Sequence, residues 1–101
     1  MITVVNKRLA YEIKGEAIYV GRPSILGNPF TVQDYGHGHA IAVFRKWLWK
    51  QMQSNTEQRR ELVRLAEKHK AGHDLTLVCW CKPKPCHADV IKKAIEYLAQ
   101  G

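Results

Sequence analysis

The sequence predicts a compact α/β domain with a small mixed β-sheet flanked by about three helices. Two observations support this fold class. Short apolar segments rich in β-branched residues occur along the chain beside longer segments in which apolar residues recur at helical spacing. Glycine, proline and polar clusters separate the segments, with no repeat, linker or low-complexity tract between them. The chain is therefore predicted to be one domain, residues 1–101. The pattern does not specify the order of the strands.

Four short strands are predicted, at residues 2–5, 9–13, 17–20 and 75–78. A loop at 21–30 follows the third strand, because two glycines and two prolines in ten residues exclude regular structure there. The last of the four strands leads directly into the cysteine-rich part of the chain.

Three helices are predicted in the rest of the sequence. The first begins near residue 39 and places one apolar face toward the core, formed by Ile41, Phe44, Leu48 and Met52. Polar residues at 54–57 resemble a capping box that opens a charged helix, and Gly72 ends it. The third helix follows Pro85 and carries a stripe of apolar residues over 90–98.

The charge of the chain favours an anionic partner. Sixteen Lys and Arg residues oppose nine Asp and Glu residues, which gives a net charge of +7. Such an excess attracts nucleic acid, nucleotides or acidic proteins. No apolar run approaches the roughly 20 residues of a membrane span, and the N-terminus lacks a signal-peptide pattern. We therefore expect a cytoplasmic protein that does not bind membranes, and the odd number of cysteines agrees with a reducing compartment.

The three cysteines lie within eight residues, where the last strand passes into the last helix. One interpretation is a zinc site, because Cys79, Cys81, Cys86 and His87 supply four ligands of the types that zinc prefers. One residue separates Cys79 from Cys81, four separate Cys81 from Cys86, and Cys86 is adjacent to His87. Zinc ligands more often occur in pairs that are separated by about two to four residues. The sequence therefore does not determine a cofactor, and zinc is the candidate that these residue types suggest.

A reactive thiol is the second interpretation of this junction. Cys86 is expected at the N-cap or first turn of the last helix, where amide groups and the helix dipole favour a thiolate. His87 could then act as an acid or base, and Asp89 could orient it or complement the helix dipole. Under a third interpretation the cysteines are core residues and Trp80 packs under the sheet.

The glycine-proline loop is a candidate ligand-binding segment. Gly21 and Gly27 allow close approach of a ligand to the backbone, and Arg22 offers a planar fork for phosphate or carboxylate. Ser24 and Asn28 add hydrogen-bonding groups for a ribose or a base edge. The alternative is a rigid turn in which Asn28 and the prolines only shape the chain.

Together, the two segments resemble a known family. The run GRPSILGNPF at 21–30 and the run CWCKPKPCHAD at 79–89 are similar to a GRxSxxGNPF loop and a CWCxPxxCHxD motif. Both motifs are typical of a family of small bacterial and phage proteins that is known as a domain of unknown function. The resemblance implies one functional unit made of Gly21, Arg22, Gly27, Asn28, Cys79, Trp80, Cys81, Cys86, His87 and Asp89. It also implies a phage or prophage origin, with a role in nucleotide metabolism, DNA modification or counter-defence.

The leading functional hypothesis is the binding, and possible processing, of a nucleotide or nucleotide-like anion at the carboxyl end of the sheet. The loop would hold phosphate or ribose with help from the N-terminus of the last helix. One alternative is a zinc-stabilised nucleic-acid-binding module in which Trp80 stacks on a base. Another is an inhibitor of a host protein, with Trp49 and its basic neighbours on an acidic partner. The sequence does not decide whether the protein is an enzyme.

Overall fold

The computed structural model describes residues 1–8, 13–80 and 86–100, apart from the side chains of Val32 and His37. Within these residues the chain forms three strands and four helices. In chain order they are β1 (Ile2–Asn6), β2 (Glu16–Tyr19), α1 (Val32–Tyr35), α2 (His37–Gln51), α3 (Glu57–Lys70), β3 (Leu75–Cys79) and α4 (His87–Ala99). The predicted α/β fold class is confirmed, and a short helix, α1, precedes the three long ones.

The three strands form one sheet in the order β1-β3-β2, and both pairs are parallel. A mixed sheet was expected from the sequence, whereas all strands of the described residues run in the same direction. The reason is the long connection that leads to β3. This strand inserts between β1 and β2 after the chain has crossed through α1, α2 and α3, and such a crossover returns a strand parallel to its neighbours. Of the predicted strand at 9–13, residues 9–12 lie outside the described residues and Ile13 is not in a strand.

Burial follows from this arrangement. All five residues of β3 are buried, as expected for a central strand covered on both faces. Helix α4 packs against β1, β3, α2 and α3, and its Ile91, Ala94 and Ile95 are completely buried. Fully burying a large aliphatic side chain stabilises a fold by roughly 1.5–3 kcal/mol. The apolar stripe predicted for the last helix therefore forms the centre of the core.

Helices α2 and α3 begin near the predicted positions, and α3 ends close to the predicted Gly72. Phe44 and Leu48 of α2 and its C-cap residue Met52 are buried, while Ile41 is half-buried. Thr56 caps α3 by accepting a hydrogen bond from the backbone N–H of Arg59 at 3.1 Å. No helix within the described parts of the chain is long and apolar enough to cross a membrane.

The parallel topology determines where a site can form. Because the strands are parallel, β1, β2 and β3 all end at one edge of the sheet, at Asn6, Tyr19 and Cys79. The glycine-proline loop leaves this edge after β2, and Trp80 follows β3 there. The carboxyl edge of a parallel sheet is the usual position of ligand sites in α/β proteins.

Candidate functional site

Trp80 lies at the carboxyl edge of the sheet and is 44% exposed. Its indole Nε1–H donates a hydrogen bond of 2.7 Å to the hydroxyl oxygen of Tyr19. The Tyr19 hydroxyl in turn donates to the backbone carbonyl of Arg22 at 2.9 Å. These two bonds connect the end of β3 to the end of β2 and to the start of the glycine-proline loop. Trp80 therefore presents a held aromatic surface to solvent and is not packed under the sheet.

Two cations from the end of β1 accompany the aromatic side chains. The Lys7 ammonium lies 4.8 Å from the centroid of the Tyr19 ring and 5.3 Å from that of Trp80. The Arg8 guanidinium carbon lies 5.1 Å from the Trp80 centroid. Exposed cation–π contacts of this kind contribute about 0.5–1 kcal/mol each. We call Lys7, Arg8, Tyr19 and Trp80 the edge cluster.

Asn6 fixes the position of this cationic turn. Its side-chain Nδ2 donates to the carbonyl of Trp80 at 3.1 Å, and its Oδ1 accepts from the backbone N–H of Arg8 at 2.8 Å. Lys7, Arg8 and Tyr19 were not among the candidate site residues derived from the sequence. The available signal was the polar triplet Asn6-Lys7-Arg8 at the end of an apolar strand, which became informative only once the parallel pairing was known.

The glycine-proline loop folds back on itself. The backbone N–H of Ser24 donates to the carbonyl of Gly21, and that of Gly27 donates to the carbonyl of Ser24, both at 2.9 Å. A Cβ at Gly27 would lie 3.0 Å from the Gly21 carbonyl oxygen and 3.1 Å from the Arg22 backbone. Glycine is therefore favoured at position 27 because the backbone of the same loop, at Gly21 and Arg22, lies close to it.

The side chains of the loop have different environments. Asn28 accepts from the backbone N–H of Phe30 at 2.8 Å and donates to the carbonyl of Ala40 at 3.3 Å, so it joins the loop to α2. The Ser24 hydroxyl oxygen is buried and lacks a hydrogen-bond partner among the described residues. Ser24 and Glu61 are among the residues that line a small cavity of about 200 Å³. Arg22 is exposed, and its charge acts on His87. Arg22 is therefore the predicted loop residue best placed to meet an anion.

The first turn of α4 is closed by a reciprocal cap. Cys86 is the N-cap residue, and its Sγ accepts from the backbone N–H of Ala88 at 3.5 Å. The Asp89 carboxylate accepts from the backbone N–H of Cys86 at 3.2 Å. Asp89 thus complements the helix N-terminus, which was one of its two predicted roles.

His87 connects α4 to the glycine-proline loop. Its side chain is buried, and its Nε2 lies 2.6 Å from the carbonyl oxygen of Val20. Because a carbonyl can only accept, Nε2 carries the proton, and the lone pair of the neutral ring is on Nδ1. Nδ1 lies 3.7 Å from the Sγ of Cys86. Burial lowers the pKa of His87, although the bond to Val20 acts in the opposite direction, and the neutral form is therefore favoured.

The structure places both described cysteines inside the protein. Cys86 is 1% exposed and Cys79 is fully buried, with its Sγ donating to the carbonyl of Val5 at 3.4 Å. Cys81, the third cysteine, lies outside the described residues. Among residues 1–8, 13–80 and 86–100, no group of three or more His, Cys, Asp or Glu side chains is arranged to hold a metal ion. The catalytic and metal-binding roles assigned to this junction stay predictions.

Comparison with known proteins gives a family match. The family model of DUF4326, a domain of unknown function, matches residues 4–97 of the sequence. No curated protein and no solved structure matches the chain. The matched range includes the end of β1, the whole glycine-proline loop and the first turn of α4, so it contains every element of the site described above. The chain belongs to the DUF4326 family.

Proposed function

We propose that this protein binds a nucleotide or a nucleotide-like anion at the carboxyl edge of its sheet. The observation that carries the proposal is the exposed Trp80 ring, held by Tyr19 and accompanied by Lys7 and Arg8. An aromatic face stacks on a nucleobase, and adjacent cations neutralise its phosphates. The edge cluster supplies both components within one small surface.

Arg22 extends the cationic surface. It is exposed, and its guanidinium forms no hydrogen bond or ion pair with another described residue. Its backbone carbonyl accepts the hydrogen bond from Tyr19, so the residue is positioned next to the aromatic side chains. A guanidinium with unused donors binds phosphate in a bidentate manner. In this proposal Arg22 contacts phosphate, and Lys7 and Arg8 add charge beside the base.

The helix N-terminus contributes less than its sequence position suggested. The backbone N–H groups of Cys86, Ala88 and Asp89 already donate within the capping turn. A phosphate would have to displace those contacts to bind there directly. We therefore assign phosphate binding to side chains, with α4 acting through its dipole.

His87 has a positioning role in this proposal. Its bond to the carbonyl of Val20 fixes the residue that precedes the glycine-proline loop, and so the direction in which Arg22 leaves the sheet. Processing of the ligand by Cys86 and His87 would require an opening of this buried pair. A phage source and a role in nucleotide metabolism, DNA modification or counter-defence stay predictions from the sequence motifs.

The test is titration of the protein with a panel of nucleoside mono-, di- and triphosphates. Tryptophan fluorescence and calorimetry detect the binding. We expect quenching of the fluorescence by at least one member of the panel. Trp80→Phe should abolish the quenching while the signals of Trp47 and Trp49 persist. Arg22→Gln should weaken binding by about tenfold, because a charge-assisted contact contributes roughly 1.5–3 kcal/mol.

Arg60→Gln is the matched control, since Arg60 is an exposed arginine of α3 and its loss changes the net charge equally. Equal affinities of the Arg22 and Arg60 variants would contradict the proposal. So would binding whose fluorescence signal survives in Trp80→Phe.

A second candidate function is zinc binding at the junction before α4, and a specific distance favours it. Sulfur and nitrogen ligands of one tetrahedral zinc ion lie about 3.6 Å apart, close to the 3.7 Å between Cys86 Sγ and His87 Nδ1. The other ring nitrogen of His87 donates to a backbone carbonyl, as in most metal-ligating histidines. In the ligand set predicted from the sequence, Cys79 and Cys81 would supply the further ligands.

Metal content and free thiols, measured together on protein purified without chelator, test this candidate. One zinc per chain, with thiols that react only after chelator is added, supports it. A metal-free protein whose thiols react at the same rate with and without chelator contradicts it. Trp80→Phe is the control variant, because it alters the edge cluster without removing a candidate ligand.

A further inference from the structure

Helix α2 carries a second cationic surface, distinct from the edge cluster. Its inner face places Phe44 and Leu48 in the core, and the Phe44 ring packs edge-on against His87 at 5.3 Å. The opposite face lines an open groove of about 590 Å³. The residues lining this α2 groove are Ala42, Arg45, Lys46, Trp49, Lys50 and Gln53.

The charges of the α2 groove are uncompensated. Helix α2 contains no acidic residue, and Arg45, Lys46 and Lys50 form no hydrogen bond or ion pair with any described residue. Helix α3 differs, because its Arg64 and Lys68 are paired with Glu16 at 3.3 and 2.7 Å. Helix α2 therefore carries three Lys and Arg residues with no acidic residue, whereas the five Lys and Arg residues of α3 lie among three glutamates.

Aromatic side chains lie beside these cations. Trp49 lines the groove and is half-buried, and its ring meets the Tyr97 ring of α4 edge-on, with centroids 5.0 Å apart. Tyr97 is 57% exposed, so much of its ring faces solvent. Arg45 and Lys50 are separated by about 7.5 Å along the helix at 1.5 Å per residue. Trp49 thus places a ring among the cations of the groove, and the exposed Tyr97 ring adjoins it.

We infer that the α2 groove binds single-stranded nucleic acid. Cations that follow the phosphates, with aromatic rings on which bases stack, are the components by which proteins bind single strands without sequence preference. A duplex would leave the rings unused, because its bases are already stacked. An acidic peptide would use the cations and not the aromatic stacking. This surface goes beyond the proposed nucleotide site, since the two share no residue.

The test measures binding of a short fluorescein-labelled oligothymidylate by anisotropy at several salt concentrations. The variant Arg45→Gln/Lys46→Gln/Lys50→Gln should lose at least about tenfold in affinity. The slope of log affinity against log salt concentration should become shallower by about 2, because three phosphate contacts are lost. Tyr97→Leu should weaken binding and retain the salt dependence, because it removes a ring and no charge. Mononucleotide binding should be unchanged in both variants.

The matched control is Lys14→Gln/Arg60→Gln/Lys70→Gln, which removes three exposed cations outside the groove and gives the same net charge. Equal losses of affinity in the control and the groove variant would overturn the inference, since binding would then follow net charge alone. The inference would also be overturned if the matching duplex, or polyglutamate, competed as effectively as unlabelled oligothymidylate.

Discussion

The imidazole of His87 and the carbonyl of Val20 are joined by a hydrogen bond of 2.6 Å across 67 residues of sequence. This bond attaches the first turn of α4 to the end of β2, immediately before the glycine-proline loop. It also determines the tautomer of the ring, because only a protonated Nε2 can donate to a carbonyl. The position of the loop therefore depends on a buried imidazole whose Nε2 carries a proton.

Stability should decrease when the pH falls below about 6.5. Burial lowers the pKa of His87 in the folded protein from the ordinary value of 6.5, and the Arg22 charge adds to the effect, while the hydrogen bond to Val20 and the Asp89 charge act against it. Between the folded and unfolded pKa values the unfolded chain binds more protons, so unfolding becomes easier as the pH falls through that window. Urea denaturation between pH 5 and 8 measures this dependence.

The variant His87→Gln tests the assignment of this pH dependence. Glutamine keeps an N–H donor for Val20 and does not titrate, so the fall in stability below about pH 6.5 should become shallower. His73→Gln is the control, because His73 is exposed. A pH profile that is the same in both variants and the unmutated protein would refute the assignment to His87.

Removing the Asp89 carboxylate should cost a helix cap. Asp89→Ala leaves the backbone N–H of Cys86 without this acceptor and should lower the free energy of unfolding by about 1 kcal/mol. Asp89→Asn keeps an acceptor oxygen and should lose less. Denaturation of both variants measures the difference. Equal stability of Asp89→Ala and the unmutated protein would show that the carboxylate does not act as a cap.

The two loop glycines should respond differently to alanine. A Cβ at Gly21 would lie 2.4 Å from the Tyr19 hydroxyl, so Gly21→Ala must displace the end of that side chain and break its bonds. A Cβ at Gly27 would instead press on backbone atoms at 3.0–3.1 Å. We expect Gly21→Ala chiefly to weaken ligand binding, and Gly27→Ala to destabilise the fold by about 1–3 kcal/mol. Parallel thermal and nucleotide titrations distinguish these outcomes, and the reverse pattern would contradict the described packing.

Tyr19→Phe should release Trp80 with little loss of stability. The variant removes the acceptor for the indole N–H and the donor to the Arg22 carbonyl, both in partly exposed positions. The expected cost is about 1 kcal/mol, together with weaker nucleotide binding and increased quenching of Trp80 by acrylamide. Acrylamide quenching equal to that of the unmutated protein would show that Trp80 is held by other contacts.

The sequence by itself determined the elements whose cause is local. Apolar spacing determined α2, α3 and α4, Thr56 and Gly72 marked the ends of α3, and two glycines with two prolines required a loop after β2. Cys86 was expected at the first turn of the last helix and is its N-cap. Each of these inferences depends on residues only a few positions apart, where periodicity and capping chemistry operate.

Only the tertiary structure decided which of these segments meet. The crossover through α1, α2 and α3 returned β3 parallel to β1 and β2. Its placement between them brought Lys7 and Arg8 beside Trp80, more than 70 residues later in the chain. The bond between His87 and Val20, and the burial of Cys86 beside that ring, arise in the same way. Strand order and side-chain burial result from packing between segments distant in sequence, and periodicity within a segment carries no information about its neighbours in space.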